Sequence, residues 1–92
     1  MLAKSTIALG DARVGFRGRI HALAVADSPT GLPGHELERR LIELGFVEGA
    51  AVELLHQGAF GGDPIAVRVA HTTIALRRRE AMAVLVSAET PP

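Results

Sequence analysis

The sequence contains no cysteine, tryptophan or tyrosine, and its formal net charge is zero. Without thiols there is no disulfide, no thiolate nucleophile and no cysteine-ligated zinc. A small domain lacking disulfides fits a reducing compartment. Ten basic side chains balance ten acidic ones, so no global field draws polyanions to the surface. No run approaches the ~18 uninterrupted apolar residues of a membrane span. Met1 to Thr6 also lacks the apolar stretch and cleavage site of a secretory signal. The expectation is a cytoplasmic protein that does not itself span a membrane. Aromatic residues make up 3% of the chain, namely Phe16, Phe46 and Phe60. The core must therefore be built chiefly from Val, Ile, Leu and Ala.

The chain has 92 residues, of which 48% are hydrophobic and 22% charged. That is the length and composition of one globular domain. The expected domain spans residues 1–92, with its core over about 9–87 and tails at 1–8 and 88–92.

Residues 1–8 read as a tail or a short edge strand. Leu9 to Val14 has room for one helical turn, which Gly15 breaks. Phe16 to Val25 reads as a strand with Phe16, Gly18 and Ile20 on one face. The parity slips at Leu23 and Val25, as a β-bulge or a strand buried on both faces would require; small barrels favour the bulge. Asp27 to Gly34 carries turn chemistry throughout. His35 to Leu44 is the clearest helix, with Leu37, Leu41 and Leu44 on one stripe. Glu36 stands at helical spacing from Arg40. Gly45 ends the helix as a left-handed cap, with Phe46 folding back behind it, and Gly49 turns the chain into the next strand.

Ala51 to His56 reads as that strand, Gln57 to Pro64 as a glycine-rich loop, and Ile65 to His71 as a strand with Ile65, Val67 and Val69 inward. A turn at His71-Thr72 leads to Thr73–Leu76, with Leu76 plugging the core. A helical turn over Arg77–Met82 and a closing strand at Ala83–Val86 complete the chain. Pro64 fixes its own φ and biases Asp63 to extended geometry. Regularly spaced short strands predict a mainly β fold, a small closed barrel or a sandwich of five to six strands, with one substantial helix at about 35–44.

The four histidines, His21, His35, His56 and His71, include no pair at i, i+2 or i, i+4. They read as surface residues. The alternative is an adventitious or inter-subunit zinc or iron site using His21 or His35 with Glu36 or Glu38, completed across a homodimer. No cofactor is required by anything in the sequence. Gly58 to Gly62 lacks the lysine and following helix of a phosphate-binding loop, and Ser28 and Ser87 have no evident His and carboxylate partners. The expectation is a protein that is not an enzyme.

The apolar residues that fall off the core face are Leu32, Ile42, Leu55 and Phe60. Clustered, they form a partner-binding patch; dispersed, they are extra packing, especially Ile42 and Leu55. Arg77, Arg78 and Arg79 are either a solvated turn or a contact for phosphate or an acidic partner.

Three stretches resemble the FeoA family of ferrous-iron-transport accessory proteins. They are Arg39 to Gly49 at the helix end, Gly62 to Val69, and Ile74 to Ala81; Leu9 to Gly15 is a weaker fourth, with Ala12 and Val14 departing from the family's pattern. The resemblance covers about Leu9 to Val86. It implies an SH3-like barrel in which Gly45, Gly49, Asp63, Pro64 and Leu76 are structural. It also implies a cytosolic partner of FeoB, the membrane GTPase permease for ferrous iron, tuning the permease's assembly or activity. The competing readings are a metal-responsive regulatory domain, since similar barrels trail the DNA-binding part of iron-dependent repressors, and a nucleic-acid-binding barrel. Zero net charge and few aromatics argue against nucleic acid.

Overall fold

The architecture follows from how alternating aliphatic strands bury one face. The computed structural model describes residues 6–24 and 34–88. Strands β1 (Thr6–Ala8), β2 (Arg17–Leu23), β3 (Ala51–Phe60), β4 (Asp63–Val69), β5 (Thr72–Leu76) and β6 (Val84–Ala88) form one sheet in the order β1-β6-β2-β3-β4-β5. Every neighbouring pair is antiparallel. A 3-10 turn (Leu9–Asp11) follows β1, helix α1 (Gly34–Glu43) precedes β3, and a short helix α2 (Arg78–Ala81) follows β5. This is the mainly β, SH3-like architecture the sequence predicts.

Inward positions alternate as the period of a strand demands. Val52 and Leu54 from β3, Ile65, Val67 and Val69 from β4, Leu76 from β5, and Val84 and Val86 from β6 are all buried. Leu37 and Leu41 of α1 plug the same core, together with Phe46 and Leu9. Gly45 has φ +106°, and the helix ends in a Schellman motif. The Phe46 N–H donates to the Leu41 carbonyl at 3.0 Å and the Gly45 N–H to that of Ile42 at 3.0 Å. Phe46 is thereby turned into the core, as expected. Gly49 also has positive φ, and the chain enters β3 two residues later.

The bulge expected in β2 is present: Ile20 pairs with Val86 and Ala22 with Leu85, leaving His21 as the extra residue. A second bulge explains Leu55. Leu54 faces Val67 and His56 faces Ala66, so Leu55 is unpaired and half-buried on the outer face.

Of the two readings of residues 1–8, Thr6–Ala8 takes the edge-strand one, paired against Leu85–Ser87. Several sequence expectations are corrected. Gln57 to Pro64 is not a loop: β3 runs on to Phe60, Phe60 faces Asp63, and only Gly61 and Gly62 turn the chain. Both have positive φ, the requirement of a two-residue type I′ hairpin. The following turn is Ala70-His71, between the paired Val69 and Thr72. Its φ values, 51° and 66°, are unusual for residues with a Cβ. Arg40 does not pair with Glu36. It reaches Glu80 Oε2 at 3.4 Å, while Arg39 and Glu43 form the helix's i, i+4 pair at 3.7 Å. The Asp27–Gly34 loop expectation lies, but for Gly34, outside the described residues, as does Leu32.

Candidate functional site

The sheet has two edge strands, β1 and β5, and each is followed by a short helical element. Those two elements meet, and Arg78 joins them. Its Nη1 donates to the carbonyl oxygens of Gly10 (3.0 Å) and Ala12 (2.8 Å). Its Nε donates to the Gly62 carbonyl at 2.7 Å and its Nη2 to Gln57 Oε1 at 2.8 Å. Its backbone N–H donates to Asp63 Oδ1 at 2.8 Å, so Asp63 caps α2 from across the fold. The fit is tight, because a Cβ on Gly10 would run into the Arg78 carbonyl oxygen and lie 2.7 Å from Met82 Sδ. Arg78 therefore leaves the set of partner-binding candidates. A guanidinium with four of its five N–H groups satisfied inside the molecule closes the barrel seam. Arg77 and Arg79, on either side of it, are exposed. Glu80 accepts from the Arg77 N–H at 3.0 Å and anchors the start of α2.

A groove of about 320 Å³ runs between α1 and β2. Its walls are Glu38 and Ile42 from α1 and Ile20 to Leu23 from β2, and Phe46, Val47 and Glu48 complete it. Three candidates from the sequence, His21, Glu38 and Ile42, thus share one site. They come from distant stretches of chain, brought together because Leu37 and Leu41 anchor α1 in the core and leave Ile42 on its flank. Ile42 is 46% exposed and Val47 45%. Val47, Glu48 and Leu23 were not singled out from sequence. Val47 carried a signal, being an apolar residue directly after the Phe46 that the helix stop turns inward. The groove mixes apolar side chains with His21, and its two charged lining residues, Glu38 and Glu48, are both acidic.

The remaining candidates lie elsewhere. His35 and Glu36 are exposed in the first turn of α1 and do not line the groove. Phe60 stands at the β3–β4 hairpin tip. His71 lines a second cavity of about 280 Å³ with Arg17, Glu53 and Arg68; Glu53 and Arg68 approach to 3.9 Å. Among the described residues, no three His, Cys, Asp or Glu side chains gather as metal ligands. No helix of the described residues is long and apolar enough to cross a membrane.

The FeoA domain family model matches residues 7–88. No protein of curated function matches the sequence significantly. Several solved structures are similar. The FeoA of Stenotrophomonas maltophilia, complexed with zinc and described as a prokaryotic SH3 domain protein, is 32% identical with a TM-score of 0.68, over 85% of this chain and 86% of its own. The FeoA protein of Chlorobium tepidum is 30% identical with a TM-score of 0.71, over 91% of this chain and 71% of its own. A manganese-dependent transcriptional repressor shares the fold at 20% identity and a TM-score of 0.76; this chain spans 45% of its length. A match running from β1 to β6, joined to this sheet order and helix stop, means that the chain belongs to the FeoA family.

Proposed function

We propose that this protein is a cytoplasmic accessory protein of ferrous iron uptake, docking on an FeoB-like membrane GTPase permease and modulating its assembly or activity without catalysing a reaction. Family membership supports the link to ferrous iron transport. The observation that carries docking is the α1–β2 groove, where Ile42 and Val47 leave apolar surface exposed between Glu38 and Glu48. Such a groove suits a partner segment with apolar anchors and basic flanks.

The test is capture of the permease from detergent-solubilised membranes on immobilised protein, with and without ferrous iron and guanine nucleotide. The wild type retains the permease, and Ile42→Glu and Val47→Glu do not. No capture under any condition, or equal capture by the variants, overturns the reading.

A second reading is a divalent metal site shared between two copies, with zinc or iron held by His21 and Glu38. Its support is that these two side chains line the same groove. Two ligands are too few for a closed tetrahedral site, so a second copy would supply the rest. Zinc titration followed by size-exclusion chromatography decides it. Metal-dependent dimerisation abolished by His21→Ala supports the site, and an unchanged monomer removes it.

A further inference from the structure

The β3–β4 hairpin ends in Ala59-Phe60-Gly61-Gly62-Asp63, and its tip has an unusual surface. Phe60 is 91% exposed, the most exposed large apolar residue described. Its cross-strand partner Asp63 lies roughly 5 Å away between Cα atoms. That same Asp63 carboxylate accepts the N–H of Arg78 at 2.8 Å. The start of α2 is therefore fastened to the hairpin tip, and the exposed Arg77 and Arg79 flank the fastening point.

The charge around this tip leans positive. Among the described residues neither Arg77 nor Arg79 has a carboxylate partner. Of the neighbouring acids, Glu80 is paired with Arg40, while Asp63 accepts only the backbone N–H of Arg78 and keeps its negative charge. The Arg78 guanidinium, held by carbonyl and amide oxygens, offsets that Asp63 charge, so Arg77 and Arg79 are the two cations left over. Two exposed arginines without a carboxylate partner thus flank the point where α2 is fastened to the hairpin that carries Phe60.

We propose that the Phe60 tip, with Arg77 and Arg79, contacts an anionic lipid bilayer surface. The charge sign selects an anionic surface, and the shape selects a deformable one. A two-residue turn is a narrow convex projection, and Phe60 lines neither the α1–β2 groove nor the cavity at His71. An exposed ring on a projection enters the headgroup region while flanking arginines meet phosphates. The contact is weak and reversible by design: one ring and two cations concentrate the protein at a membrane without anchoring it. This goes beyond the docking reading and does not depend on it, because it requires no permease.

The test is co-sedimentation of the full chain with protein-free vesicles. Vesicles of phosphatidylcholine alone are compared with vesicles containing about one-third phosphatidylglycerol. The wild type partitions to the anionic vesicles, and raising salt to about 0.5 M releases it. Each arginine accounts for about fivefold in partitioning, so Arg77→Gln with Arg79→Gln reduces it by roughly 30-fold. Phe60→Ala reduces it about tenfold, and Phe60→Trp restores it with a blue-shifted emission on anionic vesicles. Thermal melts of each variant check that these exposed changes leave the fold intact. Equal partitioning to neutral and anionic vesicles, or anionic binding that survives both sets of substitutions, overturns the proposal. So does Phe60-dependent binding seen only when vesicles carry the permease, which would assign the tip to a protein. Failure here leaves the Ile42 and Val47 capture experiment untouched.

Discussion

Arg78 Nη1 lies 3.0 Å from the carbonyl oxygen of Gly10, a residue 68 positions earlier in the chain. That bond and its neighbours tie the element after the first edge strand to the element after the last. Arg78→Met keeps much of the stem but leaves the Gly10, Ala12 and Gly62 carbonyls without their donor. The expected loss is about 2–4 kcal/mol, discounted for the site's partial exposure. For a domain this size that is a fall in Tm of roughly 10–25 °C. Arg78→Lys recovers only part, because an ammonium cannot serve all four acceptors. Urea unfolding measures both, and a Met variant as stable as the wild type would refute the clasp.

Gly45→Ala tests the helix stop. At φ +106° a Cβ is strained, and it would stand 3.0 Å from the Ala70 Cβ. The expected destabilisation is about 1–2 kcal/mol, read as a lower midpoint in thermal melts. A neutral result would tell against the left-handed cap.

The Ala70-His71 turn predicts a gain. His71 sits at φ 66°, a conformation that glycine adopts without steric penalty. His71→Gly is expected to stabilise by about 0.5–1 kcal/mol and raise Tm by a few degrees. Differential scanning calorimetry checks it, and a lower Tm would show that the imidazole makes an offsetting contact.

Neighbouring positions on α1 separate folding from docking. Leu41 is fully buried and Ile42 half-exposed. Leu41→Ala is expected to cost about 2–5 kcal/mol. Ile42→Glu should stay within about 0.5 kcal/mol of the wild type while losing permease capture. If Ile42→Glu melts as early as Leu41→Ala, Ile42 belongs to the packing and not to the groove.

Much of this fold is legible in the sequence. Period-two alternation gives β4, the leucine stripe gives α1, and Gly45-Phe46 gives the cap. What misled was glycine. Gly58, Gly61 and Gly62 read as a loop, yet Gly58 lies inside β3, where a Cβ would strike the Asp63 carbonyl oxygen. Close backbone approach and a tight turn use the same residue type, and a single sequence does not separate them. The arginine triplet poses the same problem. Nothing in three identical side chains marks which one turns inward; the position of α2 against the barrel seam decides it.

Only His21, Glu38 and Ile42 of the groove were legible as candidates, and the groove was not legible as a site. Spacing alone shows that Ile42 lies off the leucine stripe and that the β2 pattern slips after Ile20, but only the strand register makes His21 the bulged residue. Their meeting depends on how α1 lies across the sheet, which no local pattern encodes. Leu55 shows the converse. Its parity looked anomalous, and a bulge in β3 removes the anomaly without any appeal to a partner.

The pairing of Thr6 with Ser87 has a modular consequence. Because the first and final strands lie side by side, both ends of the fold depart from one place. A peptide linker of a few residues would join them, and new ends opened at Gly61-Gly62 would give a circular permutant with every strand pairing retained. The same adjacency lets such a barrel be appended to a longer polypeptide at either end without disturbing its interior, an arrangement in keeping with its likeness to under half of a much longer repressor.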